Sequence, residues 1–122
     1  MESIMNRPLK FKVWNKKSNE WCGTIGLNET ISHNELEYDT DDLVFVQYTG
    51  LTDSKNKEIY EGDIVKWGDL NYIVEYNHTS CKWQGRSPEH HGYLHIVTEH
   101  FRDLMNGIII SNIFEHKHLL EK

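Results

Sequence analysis

Between Leu43 and Tyr76 the chain is punctuated so densely that no helix of ordinary length fits between the marks. Leu43 to Thr49 is rich in β-branched and aromatic residues, the composition of a strand. Asp53-Ser54-Lys55-Asn56-Lys57 is a polar turn in which Asn56 can take the left-handed conformation. Gly62-Asp63 marks a bulge or tight bend before the strand Ile64 to Trp67. Gly68-Asp69 then joins it to Tyr72–Tyr76, a hairpin signal. A chain built this way must find its core in β-sheet.

The flanks agree. Leu9 to Val13 alternates apolar and basic residues, the period of a half-buried strand. Asn15 to Asn19 is a polar turn, and Glu20 to Ile25 returns as a second strand. Residues 28–42 are polar and acidic and read as an irregular connection, and residues 77–92 as a long loop. Tyr93 to Val97 reads as a strand. Thr98 and Glu99 suit the start of a short helix that Gly107 ends, with Phe101, Leu104 and Met105 on one face. Ile108 to Phe114 reads as a buried final strand, followed by a polar tail whose Leu119 and Leu120 dock. No linker or repeat divides the 122 residues, so residues 1–122 are expected to form a single domain. The expected fold is mainly β, a barrel-like or strongly curved antiparallel sheet with one short helix, because closure hides strand edges.

No apolar run approaches the roughly 18 residues that span a bilayer, and residues 1–8 lack the apolar core of a secretory signal. The expected location is the cytoplasm, where Cys22 and Cys81, expected to be partly buried, stay reduced. The net charge of −6 argues against sequence-independent binding to phosphate backbones. The charge is uneven, however. Residues 7–17 carry five basic residues and no acid, while residues 29–63 carry ten acids against Lys55 and Lys57. The basic strand is expected to lie beside the acidic segment.

Three constellations could carry chemistry. In the acidic cluster Glu58, Glu61 and Asp63, the Glu61/Asp63 pair could share a proton or hold a divalent cation, but Gly62 interrupts the strand and no third carboxylate at ligand spacing completes a site. His78, Cys81, His90, His91 and His95 lie within 18 residues, yet lack the paired spacing of structural zinc. Trp14, Trp21, Trp67, Tyr72 and Trp83 could stack bases or bind a peptide, though a small β-domain more often spends such rings on its core. Neither a nucleophile elbow nor a phosphate-cradling glycine loop occurs. No cofactor or metal is expected.

Three blocks carry a family resemblance: "LKFKVWNKK", "VQYTGLTDSKNKEIYEGDIV" and "IISNIFEHKHLL". With them the chain resembles the YopX family of small phage and prophage proteins. The family pattern reads close to F-R-A-W-D, then Q-Y-T-G-L-x-D-x-x-G-x-x-I-Y-E-G-D-I-V, then I-G-N-I-Y-E-N-P-E-L-L. This chain departs from it at Asn15, where Asp is usual, at Asn56 and Ser111, each in place of Gly, and at His116-Lys117, in place of Asn-Pro. The resemblance implies a predominantly β fold in a bacterial host, and no established activity, cofactor or substrate.

The leading expectation is therefore a non-enzymatic protein-interaction module. It would bind a host or phage protein through Tyr48, Tyr60, Glu61 and Asp63 around the central turn, with self-association possible. The alternative is a nucleic-acid-binding domain using Lys10, Lys12, Trp14, Lys16 and Lys17. A metal-dependent enzyme ranks third.

Overall fold

The computed structural model describes residues 9–26, 40–87, 96–97 and 100–115. Among these the chain forms nine strands: β1 (Lys10–Asn15), β2 (Glu20–Gly26), β3 (Leu43–Thr52), β4 (Glu58–Tyr60), β5 (Asp63–Trp67), β6 (Leu70–Asn77), β7 (Lys82–Ser87), β8 (Ile96–Val97) and β9 (Ile108–Asn112). The first four make one antiparallel sheet in the order β2-β1-β3-β4, and the rest make a second in the order β8-β7-β6-β5-β9. The mainly-β expectation holds, with a short 3-10 helix at Phe101–Asn106.

The barrel-like or strongly curved sheet does not form. The reason lies at Glu61-Gly62, where the chain leaves the first sheet after β4 and enters the second as β5, so neither sheet closes on itself. Open edges remain, and they are blunted in the usual ways. β4 has three residues and β8 two. β9 skips a residue in its pairing with β5, where Ile64 opposes Ser111 and Val65 opposes Ile109. The final strand is thus an edge and not a buried one, with Ile108 39% and Ile110 44% exposed.

Local signals are otherwise realised. Asn56 has φ +66°, and Asp53 Oδ1 accepts the N–H groups of Lys55 and Lys57 to hold the turn. Asn15 caps the β1–β2 turn by accepting from Lys17 N and Ser18 N. β1 lies beside β3 and Lys10 pairs with Glu58, so the basic strand does adjoin acidic chain. The stretch read as a long loop contains β7. Its sequence, KWQGRS, lacks β-branched residues, so propensity gives no signal. Cross-strand pairs hold it instead, with Trp83 against Tyr76 at 5.3 Å and Arg86 Nε on Glu75 at 3.0 Å. The expectations for Tyr93 to His95, Thr98, Glu99, Leu119 and Leu120 fall outside the described residues. Cys22 and Cys81 are free, and both are exposed, not partly buried. Among the described residues no helix is long and apolar enough to cross a membrane.

The main core joins the two sheets. Ile59 from β4 packs with Val65, Tyr72 and Val74 from the second sheet and with Leu104 from the helix. Full burial of a side chain of this size stabilises by roughly 1.5–3 kcal/mol. Of the five aromatics that could have formed a stacking platform, Trp14 and Tyr72 are each 5% exposed, and the other three are half-buried. Gly107 ends the helix against β5. A Cβ there would lie 2.6 Å from the Lys66 carbonyl oxygen and 2.7 Å from Val65 Cγ1. Gly107→Ala is expected to lose about 1–3 kcal/mol, the usual range for overpacking, seen as a lower urea midpoint with an unchanged slope.

Candidate functional site

The crossover Tyr60-Glu61-Gly62-Asp63 is tied to both sheets. Glu61 N donates to the Gln47 carbonyl (2.9 Å) in the first sheet and Gly62 N to the Val74 carbonyl (2.8 Å) in the second. Ile113 N donates to the Gly62 carbonyl (2.9 Å), and Tyr60 N donates to Asp63 Oδ2 (2.8 Å). Gly62 has φ +89°, and a Cβ on it would meet Phe114 Cε2 at 3.0 Å, so glycine fits here on two counts. The backbone of this link is consequently held in a fixed place.

The structure brings together residues that the sequence assigned to rival readings. Tyr48 opposes Tyr60 across β3 and β4, with ring centroids 5.4 Å apart, and they are 8% and 5% exposed. Lys10 Nζ lies 5.1 Å from the Tyr48 centroid. Lys12 Nζ lies 4.9 Å from that of Tyr60 and 4.3 Å from that of Trp21. These are cation–π distances. Tyr60 Oη donates to Glu58 Oε1 (3.1 Å); burial, then Glu58, pushes both tyrosine hydroxyls above their ordinary range. Trp14 is buried against Trp21 and Phe114, with centroids 4.9 and 5.7 Å away. Lys16 and Lys17 sit exposed in the β1–β2 turn. The basic set is therefore divided, with Lys10 and Lys12 folded onto rings.

Two concavities adjoin the crossover. One, of about 290 Å³, is polar, and it is lined by Lys12, Lys57, Glu58, Asp63, Asn112 and Glu115 among others. Asp63 is 5% exposed; burial pushes its carboxyl up to about 6, against the opposing pull of the Tyr60 N–H, Lys12 and Lys57. Glu115 Oε1 accepts from Trp21 Nε1 (2.9 Å) and Asn112 Nδ2 (2.7 Å). The other concavity, of about 520 Å³, is an apolar cleft walled by Val44, Val46, Val74, Ile113 and Phe114, with Glu61, Glu75 and Arg86 also lining it. Phe45 contributes to its lining while 46% exposed.

Glu61 thus lines the cleft, whereas Glu58 and Asp63 line the polar pocket, and the three acids do not converge. Among the described residues no group of three His, Cys, Asp or Glu is placed to hold a metal ion. Of the zinc candidates, His78 and Cys81 share the β6–β7 turn, where Cys81 Sγ donates to the His78 carbonyl at 3.5 Å, and His90, His91 and His95 lie outside the described residues. The site residues that sequence reasoning passed over are Lys57, Asn112 and Glu115. Asn112 and Glu115 fall within the third resemblance block, the one signal that touched them.

Comparison with known proteins adds a family and a fold. The family model described as YopX protein matches residues 10–121. The crystal structure of protein EF1440 from Enterococcus faecalis is similar, with a TM-score of 0.58 and 16% identity over 92% of this chain and 97% of that one. That likeness concerns the fold alone. No curated protein matches the chain.

Proposed function

The chain belongs to the YopX family, and on that premise we propose that it is a non-enzymatic interaction module acting in the cytoplasm of a bacterial host. Its partner is a host or phage protein that seats an apolar side chain in the cleft beside the crossover. The cleft carries this reading. It is about 520 Å³, walled by aliphatic and aromatic groups from both sheets, and its polar residues are few. Deep apolar pockets with polar surrounds are where partner side chains contribute most binding energy.

The polar residues also suggest the partner's chemistry. Glu75 is held by Arg86 and by Gln84 Nε2, so its charge is largely answered within the protein. Glu61 has no ion pair among the described residues, and it favours a partner segment with a basic residue beside the apolar anchor. Tyr48, Tyr60 and Asp63 act in this reading from beneath the surface, holding the crossover from which Glu61 projects.

The test is capture from infected host cells with the wild type, Phe45→Glu and Glu61→Lys. A direct partner is expected to be lost from the Phe45→Glu eluate and weakened in that of Glu61→Lys, both variants remaining folded. An identical set of bound proteins for all three would remove the proposal. A second copy in the cleft would show instead as a dimer that Phe45→Glu dissolves on size exclusion. The nucleic-acid alternative retains only Lys16 and Lys17 as exposed cations of its set, since Lys10 and Lys12 lie over tyrosine and tryptophan rings.

A further inference from the structure

The polar pocket holds a buried charge that the described residues leave without an ion pair. Asp63 is 5% exposed, and its Oδ2 accepts the Tyr60 N–H, but no ammonium or guanidinium group among those residues lies within 4 Å of its carboxylate. Buried charges are ordinarily ion-paired or, like Asp53, held by several N–H groups, and one without an ion pair at the wall of a cavity points to something that enters it. Lys12, on β1, could have supplied the pair, but its Nζ is held over the Tyr60 and Trp21 rings. Lys57, from the turn before β4, is exposed and acts on Asp63 only through space.

The surrounding charges set the sign of the ligand. Asp53, Glu58, Asp63 and Glu115 face this region, against Lys10, Lys12 and Lys57, so four carboxylates meet three ammonium groups. Glu58 is engaged by Lys10 and the Tyr60 hydroxyl, and Glu115 by Trp21 and Asn112. Asp53 gives its oxygens to the N–H groups of Lys55, Lys57 and Ile109. A hard metal ion wants several oxygens at once, and these are already spent. A single-charged organic group needs only one carboxylate and some shape, and about 290 Å³ is room for it.

We propose that this pocket binds an organic cation, an ammonium or guanidinium group that pairs with the Asp63 carboxylate. The group belongs either to a small molecule or to a basic side chain of a partner protein. The pocket shares no lining residue with the apolar cleft, so its assignment stands or falls independently of the docking proposal. The unpaired state explains why burial holds the Asp63 carboxyl near 6, and a bound cation is expected to return it towards the ordinary carboxylate range.

The experiment is a carbon-detected NMR titration of the Asp63 carboxyl in the full chain, with ethylguanidinium as the probe and ethylurea as its neutral counterpart. A second arm uses the blocked peptide acetyl-Gly-Arg-Gly-amide against its citrulline counterpart. Ethylguanidinium or the arginine peptide is expected to lower the Asp63 midpoint by at least one pH unit at saturation, and the neutral counterparts to leave it in place. Asp63→Asn is expected to weaken binding at least tenfold while keeping the remaining spectrum. Binding by ethylguanidinium alone identifies a small-molecule site, and binding by the peptide identifies a partner side chain. An unmoved midpoint with both cations, or equal affinity in Asp63→Asn, overturns the proposal.

Discussion

Asp63→Asn is expected to make the protein more stable at pH 7. Burial raises the carboxyl from 3.8 to about 6, so at neutral pH the folded state holds an anion in a place that favours the acid. At 1.36 kcal/mol per unit, a gap of about two units amounts to at most about 3 kcal/mol. Asparagine keeps an oxygen that can accept the Tyr60 N–H, so the crossover retains its bond. The expected gain is about 2–3 kcal/mol, or roughly 5–10 °C in Tm for a domain of this length. The sign can be checked through pH. A folded-state value above the unfolded one means that the folded state binds more protons between about pH 4 and 6. The stabilising contribution is complete below about pH 4 and lost as pH rises through 6. Asp63→Asn removes that slope. A variant less stable than the wild type at pH 7, measured by urea unfolding, would show that the anion is better accommodated than its burial implies.

What could be read from the chain beforehand was local. The turn at Asn56, the break at Gly62 and the Gly68-Asp69 hairpin are each set by a residue whose backbone preferences act over three or four positions, and each is found. The distribution of strands between two sheets was not legible. A reader of "IYEGDIV" sees a bend, but whether the chain folds back on the same sheet or crosses to another depends on what Gly62 meets, namely the Val74 carbonyl and the Ile113 N–H. β7 was missed because its contacts with Glu75 and Tyr76 are its main support, and such pairs leave no periodic trace. The polar pocket was hidden by distance in sequence. Lys12 and Glu115 stand at opposite ends of the described chain and come to one pocket through Trp21, whose ring lies under Lys12 Nζ and whose Nε1 donates to Glu115. The resemblance marked Asp63, Asn112 and Glu115 in separate blocks without saying that they share a wall.

Asp53→Ala is expected to have the largest destabilising effect among the polar substitutions considered, and its pH dependence runs opposite to that of Asp63. Asp53 is 4% exposed. Burial pushes its carboxyl up, but three backbone N–H groups outweigh that and hold it below the ordinary value. Lys55 and Lys57 donate to Oδ1 at 2.9 Å, and Ile109 donates to Oδ2 at 2.9 Å. The last bond fastens the β3–β4 turn to β9, fifty-six residues later. Hydrogen bonds to a charged group contribute about 1.5–3 kcal/mol each, and truncation leaves the Ile109 N–H without its acceptor. The N–H groups of exposed Lys55 and Lys57 regain water, so the expected loss is about 2–4 kcal/mol rather than the sum of three bonds. Here the folded-state value lies below 3.8, so the contribution is present above the unfolded value and lost as pH falls through the folded one. For these two residues together, wild-type stability rises as pH drops from 6 towards 4, then falls below that. Asp53→Ala should keep the rise and lose much of the fall, and Asp63→Asn should do the reverse. Urea midpoints of the three proteins between pH 3 and 8 separate the two carboxylates, and parallel curves would mean that neither sets the slope assigned to it.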